Sequence, residues 1–183
     1  MQSYVGDNYF GRKIFYVTQG EKKGTFGALI SAKDFLGKKE RFLVLNGDDI
    51  HNKEELEECL KYPRSLGVQK MIMPNYYSII LDERGYAKEF KLQTENEKKS
   101  GVLVATGAYV LDFNIFDHPG VVVTGGEYGL PQSVFAQIND YPIFVVVTNG
   151  WVPINSLNDL DKARECYSNF PISQNRGEGD ELF

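Results

Sequence analysis

The run Arg41-Phe-Leu-Val-Leu-Asn-Gly-Asp-Asp-Ile-His51 ends an unbroken apolar stretch in a glycine and two adjacent carboxylates. A carboxylate at the carboxyl end of a buried strand can hold a hard cation such as magnesium against a phosphate. A glycine just before it lets the backbone approach a ligand with no side chain in the way. Asp48, preceded by Gly47, is therefore the first candidate for chemistry. The same residues also fit a plain polar turn over 46–49, with Asp49 capping a helix that begins near Lys53. A third pattern, Asp49-Ile-His51, has the Asp-x-His spacing that could hold manganese against a diphosphate.

Presenting Asp48 in this way requires residues 42–45 to form a strand buried on both faces, as in a parallel sheet covered by helices. The preceding residues fit that requirement. Ile14 to Thr18 reads as a β-branched and aromatic strand, and Gly24-Thr25-Phe26-Gly27 opens a segment with apolar residues at Ala28, Leu29, Ala32, Phe35 and Leu36. That spacing is helical, and it stops at Gly37 before a basic turn. Strand, glycine turn, helix and buried strand make a βαβ unit, which implies a parallel sheet.

Further along, Lys53 to Leu60 reads as a short helix and Val68 to Met73 as a strand, while Tyr76 to Leu81 and Ala87 to Leu92 flank the turn Asp82-Glu-Arg-Gly85 as a hairpin. Glu95 to Ser100 reads as a charged loop, and Val102 to Leu111 as a long strand in which Gly107 marks a bulge or a close backbone approach. Tyr128 to Ile138 reads as a helix, Ile143 to Thr148 as a buried strand and Asn158 to Tyr167 as a last helix. The expected class is α/β, a three-layer Rossmann-like and mostly parallel sheet with an added antiparallel hairpin. One domain over 1–170 and a disordered polar tail over 171–183 complete the expectation.

Composition narrows the function. The 183 residues carry a formal charge of −5, and Lys and Arg are scattered instead of striped, which argues against nucleic acid as a partner. Cys59 and Cys166 lack the close spacing of a zinc site or a redox pair, so they read as free thiols in a reducing cytoplasm. No segment approaches the roughly 20 apolar residues that span a bilayer, and no signal peptide opens the chain, so a soluble cytoplasmic protein is expected.

The ordered combination of Gln19, Gly24-Thr25-x-Gly-Ala-Leu29, Leu43-Val-Leu-Asn-Gly-Asp48, Thr106-Gly-Ala-Tyr109 and Trp151 to Leu160 resembles the sugar-1-phosphate nucleotidyltransferases, also called nucleotide-sugar pyrophosphorylases. The glucose-1-phosphate thymidylyl- and uridylyltransferase group is the nearest pattern. The resemblance implies a nucleotide-diphospho-sugar transferase fold that joins a nucleoside triphosphate to a sugar 1-phosphate and releases pyrophosphate. It also implies roles: Gln19 and Gly24, with Thr25 beside them, on the nucleobase; Asp48, after Gly47, as a magnesium ligand; Gly107 and Glu127 on the sugar side. In each of these the bland reading is an ordinary turn, bulge or solvated carboxylate.

The chain departs from the family pattern in three places. The family's glycine-rich loop with its Arg and Lys has no counterpart, and Gln2 to Gly11 resembles a segment that follows the family's second strand. Where the family shows Phe-x-Glu-Lys-Pro, this chain has Phe90-Lys91-Leu92-Gln93-Thr94; where it shows Trp-x-Asp-Ile-Gly-Thr, this chain has Trp151-Val-Pro153-Ile-Asn155-Ser156. Loss of one electrostatic stabiliser commonly costs about 2.7–4 kcal/mol of barrier. The expectation is thus a truncated or degenerate family member with weak or no turnover by itself. The alternatives are a non-catalytic nucleotide- or nucleotide-sugar-binding subunit and a metal-dependent glycosyltransferase of related fold. A sheet lacking the family's first strand would expose two edges, so a homo-oligomer or a partner chain covering the gap is expected.

Overall fold

The computed structural model describes residues 2–37 and 41–168. The basic turn expected after Gly37 and the tail expected over 171–183 lie outside the described residues, as does the side chain of Cys166. The chain starts with a single helical turn, α1 (Gln2–Val5), and a small hairpin, β1 (Asn8–Tyr9) and β2 (Arg12–Lys13). Helix α2 (Gly24–Leu36) turns Phe26 and Leu29 into the core and ends at Gly37, which takes a positive φ of 62°. Then come β3 (Phe42–Leu45), β4 (Asp49–Ile50), α3 (Lys53–Cys59), β5 (Ser65–Met71) and the hairpin β6 (Tyr77–Leu81) and β7 (Ala87–Leu92). The second half holds α4 (Glu97–Ser100), β8 (Val102–Leu111), a 3-10 turn at Phe113–Phe116, β9 (Val121–Val122), β10 (Tyr128–Gly129), α5 (Leu130–Phe135), β11 (Phe144–Thr148), β12 (Val152–Pro153) and α6 (Leu157–Ser168).

The central sheet has the order β11-β5-β8-β3. Strands β11 and β5 pair in parallel, and β8 runs antiparallel to both β5 and β3. Three of the four strands thus point the same way, as an α/β sheet requires, with the reversed strand β8 between β5 and β3. The core forms where α2, α5 and the β6–β7 hairpin meet this sheet, around Phe26, Leu66, Tyr109, Leu111, Val134 and Ile143. Phe90 lies flat between Tyr77 and Phe135, with centroid distances of 4.4 and 4.6 Å, and so joins the hairpin to α5.

Four expectations are corrected. Ile14 to Thr18 joins no strand ladder among the described residues, where the Ile14 amide donates to the Asp7 carbonyl (2.9 Å), so the βαβ unit is not closed. Propensity sets an extended backbone, but a strand also needs a neighbour to pair with. Strand β3 is accordingly an edge strand and is not buried on both faces; Phe42, Leu43 and Val44 are half-buried and Leu45 is 42% exposed. The helix expected from Tyr128 begins only at Leu130, because the Tyr128 amide donates to the Lys23 carbonyl (2.8 Å) and Tyr128 and Gly129 pair with β9. The loop expected at Glu95 to Ser100 winds into α4, where the Thr94 amide donates to the Glu97 carboxylate and the Glu97 amide to the Thr94 hydroxyl.

Two charged features carry stability. At the far end of the sheet, Arg64, only 6% exposed, donates from Nη1 to Asp112 (2.7 Å) and lies against the Tyr141 ring. Removing one member of a buried pair strands the other charge. Asp112→Ala should therefore cost about 3–5 kcal/mol in urea denaturation, whereas Arg64→Met, which removes the buried cation, should cost less. In the hairpin turn, the Tyr86 and Arg84 amides donate to the Asp82 carboxylate, and these bonds, with the Arg84 charge, hold its pKa below the ordinary 3.8. The ionised form favours the folded state, so its contribution is present above 3.8 and is lost as pH falls through the lower folded value. Asp82→Ala should lower the urea midpoint at neutral pH, and the gap to the parent protein should close in acid.

Candidate functional site

The carboxyl end of β3 is fixed by one residue, Asn46. Its amide donates to the Gly107 carbonyl of β8 (3.1 Å), and its side-chain Nδ2 donates to Asp49 Oδ2 (3.0 Å). Gly107 has a φ of 78°, and a Cβ added there would sit 2.3 Å from Asn46 Nδ2 and 2.9 Å from Asp49 Oδ2. Only glycine lets β8 pass this close beneath the turn. Gly47 and Asp48 form the turn itself, both exposed, and space is open where a Gly47 Cβ would stand.

The chain returns from the turn as β4, which pairs with β12 and sets Asp49 opposite Pro153. The approach to β12 is clamped twice. Glu55 Oε1 accepts the Asn149 and Gly150 amides at 2.8 and 3.1 Å, and Gln69 takes both the N–H and the carbonyl of Trp151 at 3.0 and 3.2 Å. Trp151 is thereby buried, with its ring edge-to-face with Tyr76. Burial raises the pKa of Asp49 against the opposing hydrogen bond from Asn46, and burial lowers that of His51. Asp49 does not cap α3; Asn52 does, accepting the Glu55 amide at 3.1 Å.

On the facing wall, Gln19 Nε2 donates to the carbonyls of Gly24 (2.8 Å) and Lys22 (2.9 Å), which leaves its Oε1 as the free acceptor. Gly24, at a φ of 84°, lies against the backbone of Tyr128, where a Cβ would fall 2.6 Å from the carbonyl oxygen. Thr25 Oγ1 accepts the Leu130 amide (2.9 Å) and so ties the start of α2 to the start of α5.

Between these walls lie three hollows that share lining residues. The first, about 300 Å³, is lined by Thr25, Asn46, Tyr76, Gly107, Tyr109 and Gln132 among others. The second, about 560 Å³, runs from Ala28 and Leu36 past β3 to Asn46, Gly47 and Asp48. The third, about 400 Å³, is lined by Gln19, Gly24, Thr25, Glu127, Tyr128 and Gln132. Thr25 lines all three, and each of the seven residues nominated from the sequence lines at least one. Asn46, Tyr76, Tyr109 and Gln132 were not nominated. Asn46 is the immediate neighbour of Gly47 and could have been found; the others come from distant segments with no spacing to mark them. Among the described residues that line these hollows, none is Lys or Arg. Lys91 pairs with Glu97 at 3.3 Å, while its neighbour Phe90 lines the first hollow.

The described residues contain no group of three His, Cys, Asp or Glu that could hold a metal ion, so Asp49 and His51 lack a third donor for a resident manganese. A single exposed carboxylate at a turn, as at Asp48, does fit magnesium, which binds through one or two carboxylates, waters and substrate phosphates. No helix of the described residues is long and apolar enough to cross a membrane.

Comparison with known proteins gives concordant matches. A family model described as nucleotidyl transferase matches residues 1–124. The bifunctional protein GlmU of Methanocaldococcus jannaschii is 32% identical over 76% of this chain and 34% of its own length. A UTP–glucose-1-phosphate uridylyltransferase 2 of Staphylococcus saprophyticus is 35% identical over 66% of this chain and 47% of its own. The chain spans 34% of the length of that GlmU relative and 40% of another, from Methanococcus maripaludis. Among solved structures, a putative glucose-1-phosphate thymidylyltransferase from Bacillus anthracis superposes with a TM-score of 0.73 at 20% identity, covering 92% of this chain and 71% of that one. A UDP-glucose pyrophosphorylase in complex with UDP-glucose superposes at 0.69 and 20% identity, covering 84% and 65%. These superpositions show a shared fold.

The closeness of Gly107 to Asn46 and Asp49 is testable. Gly107→Ala combines a left-handed backbone strain of about 1–2 kcal/mol with overpacking of about 1–3 kcal/mol. A loss of about 2–5 kcal/mol in urea denaturation is expected, and an unchanged midpoint would contradict the contact.

Proposed function

This chain belongs to the nucleotidyl transferase family, and from that membership and the shape of its cleft we propose that it binds a nucleoside triphosphate and a sugar 1-phosphate, or the nucleotide sugar made from them. The observation that carries this reading is the convergence of Gln19, Gly24, Thr25, Gly47, Asp48, Gly107 and Glu127 on hollows joined at Thr25. The third hollow takes the nucleobase. With Nε2 committed to two carbonyls, Gln19 presents its Oε1 as an acceptor there, which suits a base edge that offers an N–H, as uracil and thymine do. The first hollow, with Gly107 and the aromatic Tyr76 and Tyr109, takes the sugar, and Glu127 stands at the rim of the third as an acceptor for hydroxyls.

Asp48 would hold magnesium at the phosphates, where the ion neutralises charge as the phosphoryl bond is exchanged. The chain's own residues orient the reactants: Asn46 fixes the turn, Thr25 joins the walls, and the clamped loop before Trp151 closes the far side. The deficit lies in cationic charge. Among the described residues no Lys or Arg lines the cleft, and Pro153, opposite Asp49, supplies no carboxylate where the family pattern has one. Those two observations favour weak or absent turnover by this polypeptide alone, and they support binding without turnover as the second reading.

Calorimetric titration with UTP, dTTP, CTP and UDP-glucose, with and without magnesium, tests the proposal. Uracil and thymine nucleotides are expected to bind in a magnesium-dependent way. Asp48→Asn should weaken the magnesium-dependent binding by about tenfold, equivalent to about 1.4 kcal/mol. Unchanged affinity in that variant would remove Asp48 from the site.

A further inference from the structure

The hairpin of β6 and β7 reaches the first hollow through the residue just beyond its ladder. Tyr77 and Leu92 form the last rung, so Gln93 stands level with Tyr76. Leu92 turns outward, 70% exposed, and the alternation of an extended chain sends the next side chain inward. Gln93 is accordingly buried, at 8% exposure. Its Nε2 donates to the carbonyl of Tyr76 (2.7 Å) and to that of Met73 (2.9 Å). The Met73 carbonyl also accepts the Tyr76 amide (3.0 Å), which closes a turn with Pro74 and Asn75 at its exposed tip. One side-chain amide thus fastens both ends of the turn that joins β5 to the hairpin. From this stretch Asn75, Tyr76 and Tyr77 line the first hollow, and the Tyr76 ring meets that of Trp151 at 6.5 Å.

We propose that Gln93 is a positioning residue for the first hollow, holding Asn75 and Tyr76 in place against a bound sugar by fixing the turn from Met73 to Tyr76. The inference rests on the sugar reading of that hollow given above. Counted from Phe90, Gln93 occupies the position at which the family pattern Phe-x-Glu-Lys-Pro has its lysine. Here a neutral amide stands in place of the charge, its Nε2 committed to two backbone carbonyls and its Oε1 buried. Gln93 therefore acts on a ligand through Tyr76 and not by touching it. Without that donor the Tyr76 carbonyl must turn toward water, and the ring moves with its backbone. The effect is confined to the sugar end, because the second and third hollows take no lining from residues 73–77.

Calorimetric titration of Gln93→Met, which keeps the side chain's length and removes its donor, tests the proposal beside the fluorescence of Trp151, the chain's only tryptophan. With magnesium present, UDP-glucose should bind about tenfold more weakly than to the parent protein, and UTP equally well. In the ligand-free variant the Trp151 emission should shift while the circular-dichroism spectrum stays the same. Gln93→Asn, which keeps the amide but draws it back by one methylene, should give the same two changes and serves should the first variant fail to fold. Leu92→Ala, at the exposed neighbour, should give neither. Equal weakening of UTP and UDP-glucose, unchanged UDP-glucose affinity, or unchanged Trp151 emission in the folded variants would each overturn the proposal. Should the parent protein bind neither nucleotide while the emission still shifts, the hold on Tyr76 stands and the sugar reading falls.

Discussion

The site depends on the contact between Asn46 and Gly107. An amide at the end of β3 bonds the carbonyl of a glycine in β8, and the side chain of the same residue holds Asp49. That arrangement decides what the two adjacent carboxylates do. Asp49 is drawn inward, half-buried and hydrogen-bonded, while Asp48 is left exposed at the turn among the residues that line the second hollow. With a bulkier residue at 107 the turn could not sit this close to β8.

The second organising constraint is the fastening of the opposite wall. Helix α2 enters at Gly24, packed directly on the backbone of Tyr128, and Thr25 takes the first amide of α5. These bonds join segments more than a hundred residues apart in sequence and give the cleft its common centre. Apart from Asp48 and Glu127 the described lining is uncharged and partly aromatic, which suits bases and sugars better than it suits phosphates.

The corrections share a cause. Ile14 to Thr18 has the composition of a strand, yet ladder hydrogen bonds come from a neighbour that composition cannot specify. Strand β3 has the apolar run of an interior strand and sits at an edge for the same reason. Tyr128 and Gly129 carry no strong signal against a helix, and it is the carbonyl of Lys23, distant in sequence, that draws the Tyr128 amide away.

The chain's own order of residues determined the local events: a helix after Gly24, a hairpin around Asp82, a bulge at Gly107, and an acid exposed just past an apolar strand. Those follow from side-chain period, turn chemistry and glycine's freedom, which act over a few residues. Tertiary structure alone decided which carboxylate lines the second hollow, that Tyr76, Tyr109 and Gln132 line the cleft beside the nominated residues, and that β3 lies at the edge of the described sheet. Those outcomes rest on contacts between segments far apart in the chain, and no spacing within the sequence records such a meeting.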